Sequence, residues 1–262
     1  MTRFLAAVAA AALPVAAGPA PQVGDPDADR AAIRQAALDY ADGFYEGSAE
    51  RVARAVHPAL LKRGLLPPGA ADRFLALMSA EMLIEAAASG SGQLPAAERH
   101  LDFALLDLGP DIASARVFTA RFDDYLLLAK QEGRWRIASV LWQVPAPPGG
   151  DQDRKAATRA TEEFFAGLYR ADATRIRAVV HPELVRRTLR PGARGALFLD
   201  DVNVDRLLGD TLRVPAVEGG AVQVLDIRDR IASARVTQEG SVSYVHLARQ
   251  GGQWRLVNLL SR

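Results

Sequence analysis

The sequence predicts an α+β protein made of two tandem domains, each with N-terminal helices followed by an antiparallel sheet. Three observations predict it. The second half repeats the first: Val56-His57-Pro58-Ala59-Leu60 returns as Val180-His181-Pro182-Glu183-Leu184, and Ile112 to Val117 returns letter for letter as Ile231 to Val236. Tyr125 and Gly133-Arg134-Trp135-Arg136 likewise return as Tyr244 and Gly252-Gln253-Trp254-Arg255. Order is kept, with a few residues lost from the middle of the second copy, so duplication sets the architecture. The apolar period changes once within each copy, from three-and-four to strict alternation, which places helices before strands. A Pro/Ala/Gly run from Pro145 to Gly150 separates the copies, a composition that supports neither helix nor central strand. The predicted organisation is a signal peptide at 1–17, a flexible leader at 18–29, a first domain at 30–144, a linker at 145–152 and a second domain at 153–262.

In the first copy Ile33, Ala37, Tyr40, Ala41, Phe44 and Tyr45 recur at helical spacing and give one apolar face. Gly47-Ser48 ends that helix, and Ser48 can cap a short second one faced by Val52, Ala55 and Val56, which Pro58 closes. A third helix is expected from about 70 to 88, with Phe74, Leu77, Met78 and Met82 inward and Glu81 and Glu85 sharing one side. Strands follow at 101–108, 113–122, 125–131 and 134–142, divided by Gly109-Pro110-Asp111, Asp123-Asp124 and Glu132-Gly133. Such short connections imply hairpins. In the last strand Trp135, Ile137, Ser139 and Leu141 alternate with Arg136, Ala138, Val140 and Trp142, so both faces carry large apolar groups. Helices on one face and a partner on the other would account for that.

Composition bounds the function. The chain is 49% hydrophobic and 24% charged, with a net charge of +1 and no cysteine. Interspersed charge argues against a nucleic-acid partner. Arg186, Arg187, Arg190 and Arg194 form a local basic stretch, which reads as a solvated helix end or loop. Without cysteine there is no thiol chemistry, disulfide or thiolate metal site. His57, His100, His181 and His246 are too scattered for a metal motif, and no phosphate loop, nucleophile elbow or dinucleotide fingerprint occurs, so neither metal nor cofactor is expected. Arg3 followed by the alanine-rich apolar run Phe4 to Ala17 reads as an export signal, implying a periplasmic or secreted protein with no membrane span.

The opening run from Tyr45 through Arg51-Val52 to His57-Pro58, and more closely the run from Asp124 to Ile137, resemble nuclear transport factor 2-like domains. This SnoaL-like class includes a branch called putative lumazine-binding, which the closing run is most similar to. The likeness spans both repeats. The second copy departs from it where Ser243, His246 and Arg249 replace Asp124, Leu127 and Lys130. The resemblance implies cone-shaped domains: a curved sheet wrapped around helices, with an apolar pocket at the open end. It also implies pairing through the convex sheet face, which a tandem chain can satisfy as an internal pseudo-dimer. Isomerases, dehydratases, hydrolases and inert binders all use the fold, so it names no reaction.

Candidate site residues follow from chemistry. His57 and His181 are imidazoles that could act at a pocket mouth or simply lock the turn they share. Tyr45, Tyr125, Tyr169 and Tyr244 are phenols able to donate to a carbonyl or oxyanion. Asp124 and Tyr125 are neighbours in a strand and so point to opposite faces. Trp135 and Trp254 read as core, whereas Trp142 stands where the second copy has Ser261. His246 shares a strand face with Tyr244, and Asp200, Asp201, Asp205 and Asp210 crowd one region of the second copy without a pairing that follows. The leading expectation is a non-enzymatic, exported protein binding an apolar or aromatic small molecule, or a scaffold, with Phe74, Met78 and Met82 as walls and Tyr45 as a polar contact. The alternatives are an isomerase or dehydratase using His57 or Glu81 as base, with Tyr125 as a weaker candidate, and a protein-interaction module.

Overall fold

The computed structural model describes residues 25–65, 75–192, 195–211 and 220–262. The expected signal peptide and Phe74 lie outside them. The first half runs α1 (Pro26–Glu46), α2 (Ala49–Ala55), β1 (Val56–Leu65), β2 (Leu75–Met78), α3 (Ala80–Ala88), β3 (Leu101–Leu108), β4 (Ile112–Thr119), β5 (Asp123–Gln131) and β6 (Arg134–Gln143). The second repeats it as α4 (Asp151–Arg170), α5 (Ala173–Val179), β7 (Val180–Pro191), β8 (Leu197–Asn203), α6 (Val204–Thr211), β9 (Ala221–Arg228), β10 (Ile231–Gln238), β11 (Ser241–Gln250) and β12 (Gln253–Ser261). Each half carries a six-stranded sheet, in the orders β2-β1-β6-β5-β4-β3 and β8-β7-β12-β11-β10-β9. Only the β1–β6 and β7–β12 pairings are parallel.

Local chemistry explains the helix ends. The Asp25 side chain accepts from the Asp27 N–H, and Pro26 occupies the first turn, where a missing N–H costs nothing. The helix therefore begins inside the segment expected to be a leader. Gly47, at φ 74°, closes it in the left-handed region that glycine enters freely. Ser48 caps α2 by accepting from the Arg51 N–H.

Three expectations are corrected. The helix expected from about residue 70 starts only at Ala80, because Ser79 caps it and Leu75–Met78 pair as a strand with Lys62–Leu65. Its buried residues are Ala80, Leu83 and Ala87, while Leu77 and Met82 are each 53% exposed and Glu81 and Glu85 face solvent. Pro58 does not close α2, which stops at Ala55. It lies in β1, in a stretch where the register with β6 shifts between Val56 and Leu61, the kind of irregularity that tolerates a missing N–H. The third correction concerns β6. A bulge at Ala138 leaves Ser139 opposite Leu127 and Ile137 opposite Leu128, which flips the alternation. Trp135, Ile137, Val140 and Trp142 thus face the helices, and Ala138 and Leu141 face the other sheet.

One aspartate clamps each long helix to its sheet. Asp29 Oδ1 accepts from Lys130 Nζ at 2.7 Å and Trp135 Nε1 at 2.8 Å. Asp153 Oδ1 accepts from Arg249 at 2.7 Å and Trp254 Nε1 at 3.3 Å. The two repeated tryptophans are structural, each tying a strand to the first turn of a helix.

The outer sheet faces pack on each other with reciprocal contacts. One apolar cluster joins Leu65, Tyr125 and Leu141 to Ile231, Ala248 and Val257. A second joins Ile112, Ala129 and Ala138 to Leu189, Tyr244 and Leu260, the same positions with the halves exchanged. Arg116 binds Asp226 at 3.0 Å, and its counterpart Arg235 binds Asp107 at 3.1 Å. Arg63 donates to the Glu183 carbonyl at 2.8 Å, and its counterpart Arg187 donates to the Ala59 carbonyl at 2.5 Å. Ser114 Oγ meets Ser233 Oγ at 2.8 Å, equivalent residue on equivalent residue. Each half thus meets the other through equivalent residues. Arg187, expected in a solvated stretch, is 1% exposed because it crosses to the first sheet. The linker is docked as well: the Gly149 N–H donates to the Ile227 carbonyl, and the Ala146 N–H donates to Asp123.

Candidate functional site

The first half encloses a cavity of about 210 Å³ between α1, α3 and the inner face of its sheet. Its walls are aromatic and apolar: Phe44, Phe122, Trp142, Met78 and Leu83. Two walls rest on glycines. A Cβ on Gly64 would stand 2.1 Å from the Trp142 indole, and one on Gly92 would stand 2.2 Å from the Phe44 ring. Each ring therefore lies flat on backbone that only glycine leaves open. A Gly64→Ala substitution is expected to push Trp142 into the cavity, cost about 1–3 kcal/mol by overpacking and abolish occupancy. Urea unfolding beside a Trp142 fluorescence spectrum checks this.

The polar groups converge at the cavity floor. Lys62 lies on β1, Asp124 on β5 and Tyr40 on α1, and all three are buried. Asp124 Oδ1 accepts from Lys62 Nζ at 3.1 Å and from Tyr40 OH at 3.2 Å, while Lys62 Nζ also donates to the Tyr40 oxygen. Both bonds fall on one carboxylate oxygen. Lys62 Nζ further sits 5.1, 5.7 and 5.4 Å from the ring centroids of Tyr40, Phe122 and Trp142, an aromatic cage around a cation. Burial sets the electrostatics. It holds the Lys62 ammonium below its ordinary range and the Asp124 carboxyl above its own, each opposed by attraction to the other. Burial, and next the Asp124 charge, push the Tyr40 phenol well up. Beside the cluster, Tyr45 OH donates to Thr119 Oγ1 at 2.5 Å, and burial raises that phenol too.

The second half keeps the frame and changes the floor. Arg186 stands for Lys62, Phe164 for Tyr40, Ser243 for Asp124, Ser241 for Phe122 and Ser261 for Trp142. Gly64 becomes Thr188, whose hydroxyl meets Ser261 Oγ at 3.1 Å where the indole would otherwise lie.

Of the residues singled out by sequence, Tyr45 and Met78 line the cavity. The others do not. His57 Nδ1 accepts from the Ala59 N–H at 3.0 Å and His181 Nδ1 from the Glu183 N–H at 3.1 Å, so each is spent on its own turn. Met82 and Glu81 face solvent, and Tyr169 is 38% exposed. Tyr125 and Tyr244 are buried between the sheets, where Tyr244 OH donates to Asp107 at 2.8 Å. Asp124 and Tyr125 do point apart, but the phenol that reaches Asp124 comes from α1. Lys62 and Tyr40 were not singled out as chemistry. The available signal was asymmetry between the copies at those positions. Asp200 binds Arg190 and Asp201 binds Arg187, both structural pairs. Among the described residues no cluster of side chains could hold a metal ion, and no helix is long and apolar enough to cross a membrane.

Residues 28–143 match the family described as Putative lumazine-binding. The first half carries a domain of the nuclear transport factor 2-like kind. Its two halves share one strand order, so the α+β architecture occurs twice in tandem. The chain is similar to solved proteins described as nuclear transport factor 2-like or ketosteroid isomerase-like. One, of unknown function, from Silicibacter pomeroyi is 21% identical, with 47% of this chain and 100% of that one covered and a TM-score of 0.39. Another, from Methylobacillus flagellatus, is 22% identical over 47% and 98%, at 0.39. A ketosteroid isomerase-like protein from Erwinia carotovora is 15% identical over 43% and 96%, at 0.34. No curated protein matches it.

Proposed function

We propose that the protein binds a small flat organic molecule in its first half without turning it over. On this reading the second half is a built-in partner, the two forming an internal pseudo-dimer that covers the sheet. The single observation that carries the reading is the aromatic-walled cavity closing on Lys62, Asp124 and Tyr40. At about 210 Å³ it is smaller than the usual pocket for a drug-sized ligand, which suits one or two fused rings. A ligand with a carbonyl or imide edge would find both a donor and an acceptor at the floor. The family's description as putative lumazine-binding is of that chemical kind. The proposed domain limits, 30–144 and 153–262, give each chain one cavity-bearing and one covering unit, and the apolar run Phe4 to Ala17 supports export.

A specific observation favours a second reading. A carboxyl raised by burial beside a phenol suits proton transfer of the isomerase kind, with Asp124 rather than His57 or Glu81 as base. Binding is preferred because the Asp124 oxygen that meets Tyr40 also holds Lys62, so a base here would have to break an ion pair first. Calorimetric titration with lumazine tests the proposal. Saturable binding that is lost in Trp142→Ala and kept in Ser261→Ala is expected. No heat, or equal binding by both variants, would contradict it.

A further inference from the structure

We propose that Lys62 captures a carbonyl ligand covalently, as an iminium held inside the aromatic cage. The proposal rests on the binding reading above and adds the ligand class, an aldehyde or ketone on a small apolar ring.

The floor of the cavity is built around a cation at one point. Nζ is ringed by Tyr40, Phe122 and Trp142 and is bonded to Asp124 and to Tyr40. Condensation keeps a positive charge at that atom: an ammonium and a carbonyl become an iminium and one water. The cage and the Asp124 counter-ion therefore remain satisfied, while an apolar body fills the cavity. A neutral ligand bound without condensation gains the walls and hydrogen bonds at the floor but forms no bond to Nζ.

The residues present can carry each step. Lys62 first passes a proton to Asp124, leaving a neutral amine and a carboxylic acid. The amine lone pair attacks the carbonyl carbon, and the carbon–oxygen π pair moves to oxygen. A proton then passes from nitrogen to that oxygen, with the Tyr40 phenol placed to relay it, giving a carbinolamine. Asp124 returns its proton to the hydroxyl, which leaves as water as the nitrogen lone pair forms the carbon–nitrogen double bond. Asp124 ends as the carboxylate beside the iminium. Burial lowers the Lys62 ammonium and raises the Asp124 carboxyl, which makes the first transfer easier than in water.

The remaining lysines do not combine these features. Lys130 is tied to Asp29 in a helix clamp, and Lys155 lies on the exposed part of α4. The second half has Arg186 at the equivalent place, whose guanidinium does not condense in this way.

The test treats the full chain at neutral pH with benzaldehyde and cyanoborohydride and maps benzyl adducts by peptide mass spectrometry. Benzyl alcohol, which fills the same space but lacks the carbonyl, is titrated in parallel and followed by the change in tryptophan fluorescence that Trp142→Phe removes. Labelling at Lys62 about tenfold faster than at Lys155, and suppressed by benzyl alcohol, is the expected result. If benzyl alcohol binds but Lys62 is labelled no faster than Lys155, covalent capture is wrong and the binding site stands. If benzyl alcohol does not bind and Lys62 is not favoured, both fail.

Discussion

Replacing Asp124 with leucine is expected to destabilise the protein by about 3–5 kcal/mol, because removing one partner strands a buried charge. Lys62 is 9% exposed at its side chain and Asp124 3%, so water cannot take over from the lost carboxylate. The Tyr40 oxygen remains, but it is neutral. The remedy is to remove the other charge as well. Lys62→Met with Asp124→Leu is expected to recover most of the loss, since an apolar pair of similar volume avoids the desolvation that the ion pair only partly offsets. Urea unfolding of the wild type, both single variants and the double variant closes a cycle whose coupling energy belongs to the pair. Additive single losses would show that Lys62 and Asp124 do not act as a unit.

Acid sensitivity should trace to His246. The ring is fully buried between the sheets, and burial, with Arg63 adding repulsion, holds its pKa down to about 3. Its tautomer follows from its neighbours. Arg63 donates to Asn258 Oδ1 at 2.5 Å, which turns the Asn258 amide nitrogen toward His246 Nδ1 at 3.3 Å. Nδ1 therefore accepts and the proton sits on Nε2, which finds no partner. Unfolded, the ring takes a second proton near pH 6.5; folded, it resists until about 3. The folded value is depressed, so the stability is complete above the unfolded pKa and drains away as pH falls from 6.5 toward 3. At about 1.4 kcal/mol per unit, the wild type should lose about 3 kcal/mol by pH 4 through this group. Leu127 fills the equivalent place in the first half, so His246→Leu is a sound variant. The difference in unfolding free energy between the two proteins, measured from pH 7 to pH 4, isolates the histidine from the other titrating groups. A constant difference across that range would refute the assignment.

The sheet was legible in the sequence where turn chemistry and alternation agreed. Leu101–Leu108 was read residue for residue, and the hairpins that follow were displaced only at their ends. Legibility failed where backbone irregularity broke the pattern. Pro58 looked like a helix stop but lies in a strand, and Ala138 switched the faces of β6 by adding one residue to a ladder. Leu75–Met78 looked helical because four residues cannot separate the two periods.

The site was half legible. Tyr45 could be chosen from the apolar face of α1, whereas Met78 was chosen from a helix where the structure has a strand. Lys62 and Asp124 are 62 residues apart, and no local spacing joins strands that meet only across a sheet. Duplication does leave a usable trace. What the fold requires recurs in both copies, as the aspartate–tryptophan clamps and the His-Pro turns do. What only one copy uses departs, as Lys62, Asp124, Phe122 and Trp142 do against Arg186, Ser243, Ser241 and Ser261. Repetition of the histidines marked them as structural, and the unmatched tryptophan marked the cavity.

The proposed internal pseudo-dimer depends on the contact between the sheets at Ser114 and Ser233. Those hydroxyls are 2.8 Å apart in a chain that has no cysteine of its own. A Ser114→Cys, Ser233→Cys double variant is therefore the most direct test, because a disulfide forms only where the Cβ atoms can approach to about 4 Å. Mild oxidation should consume both thiols within a monomer, leaving no free thiol and no covalent dimer. Thiols that stay free, or that link separate chains, would show that the sheets do not meet at that contact.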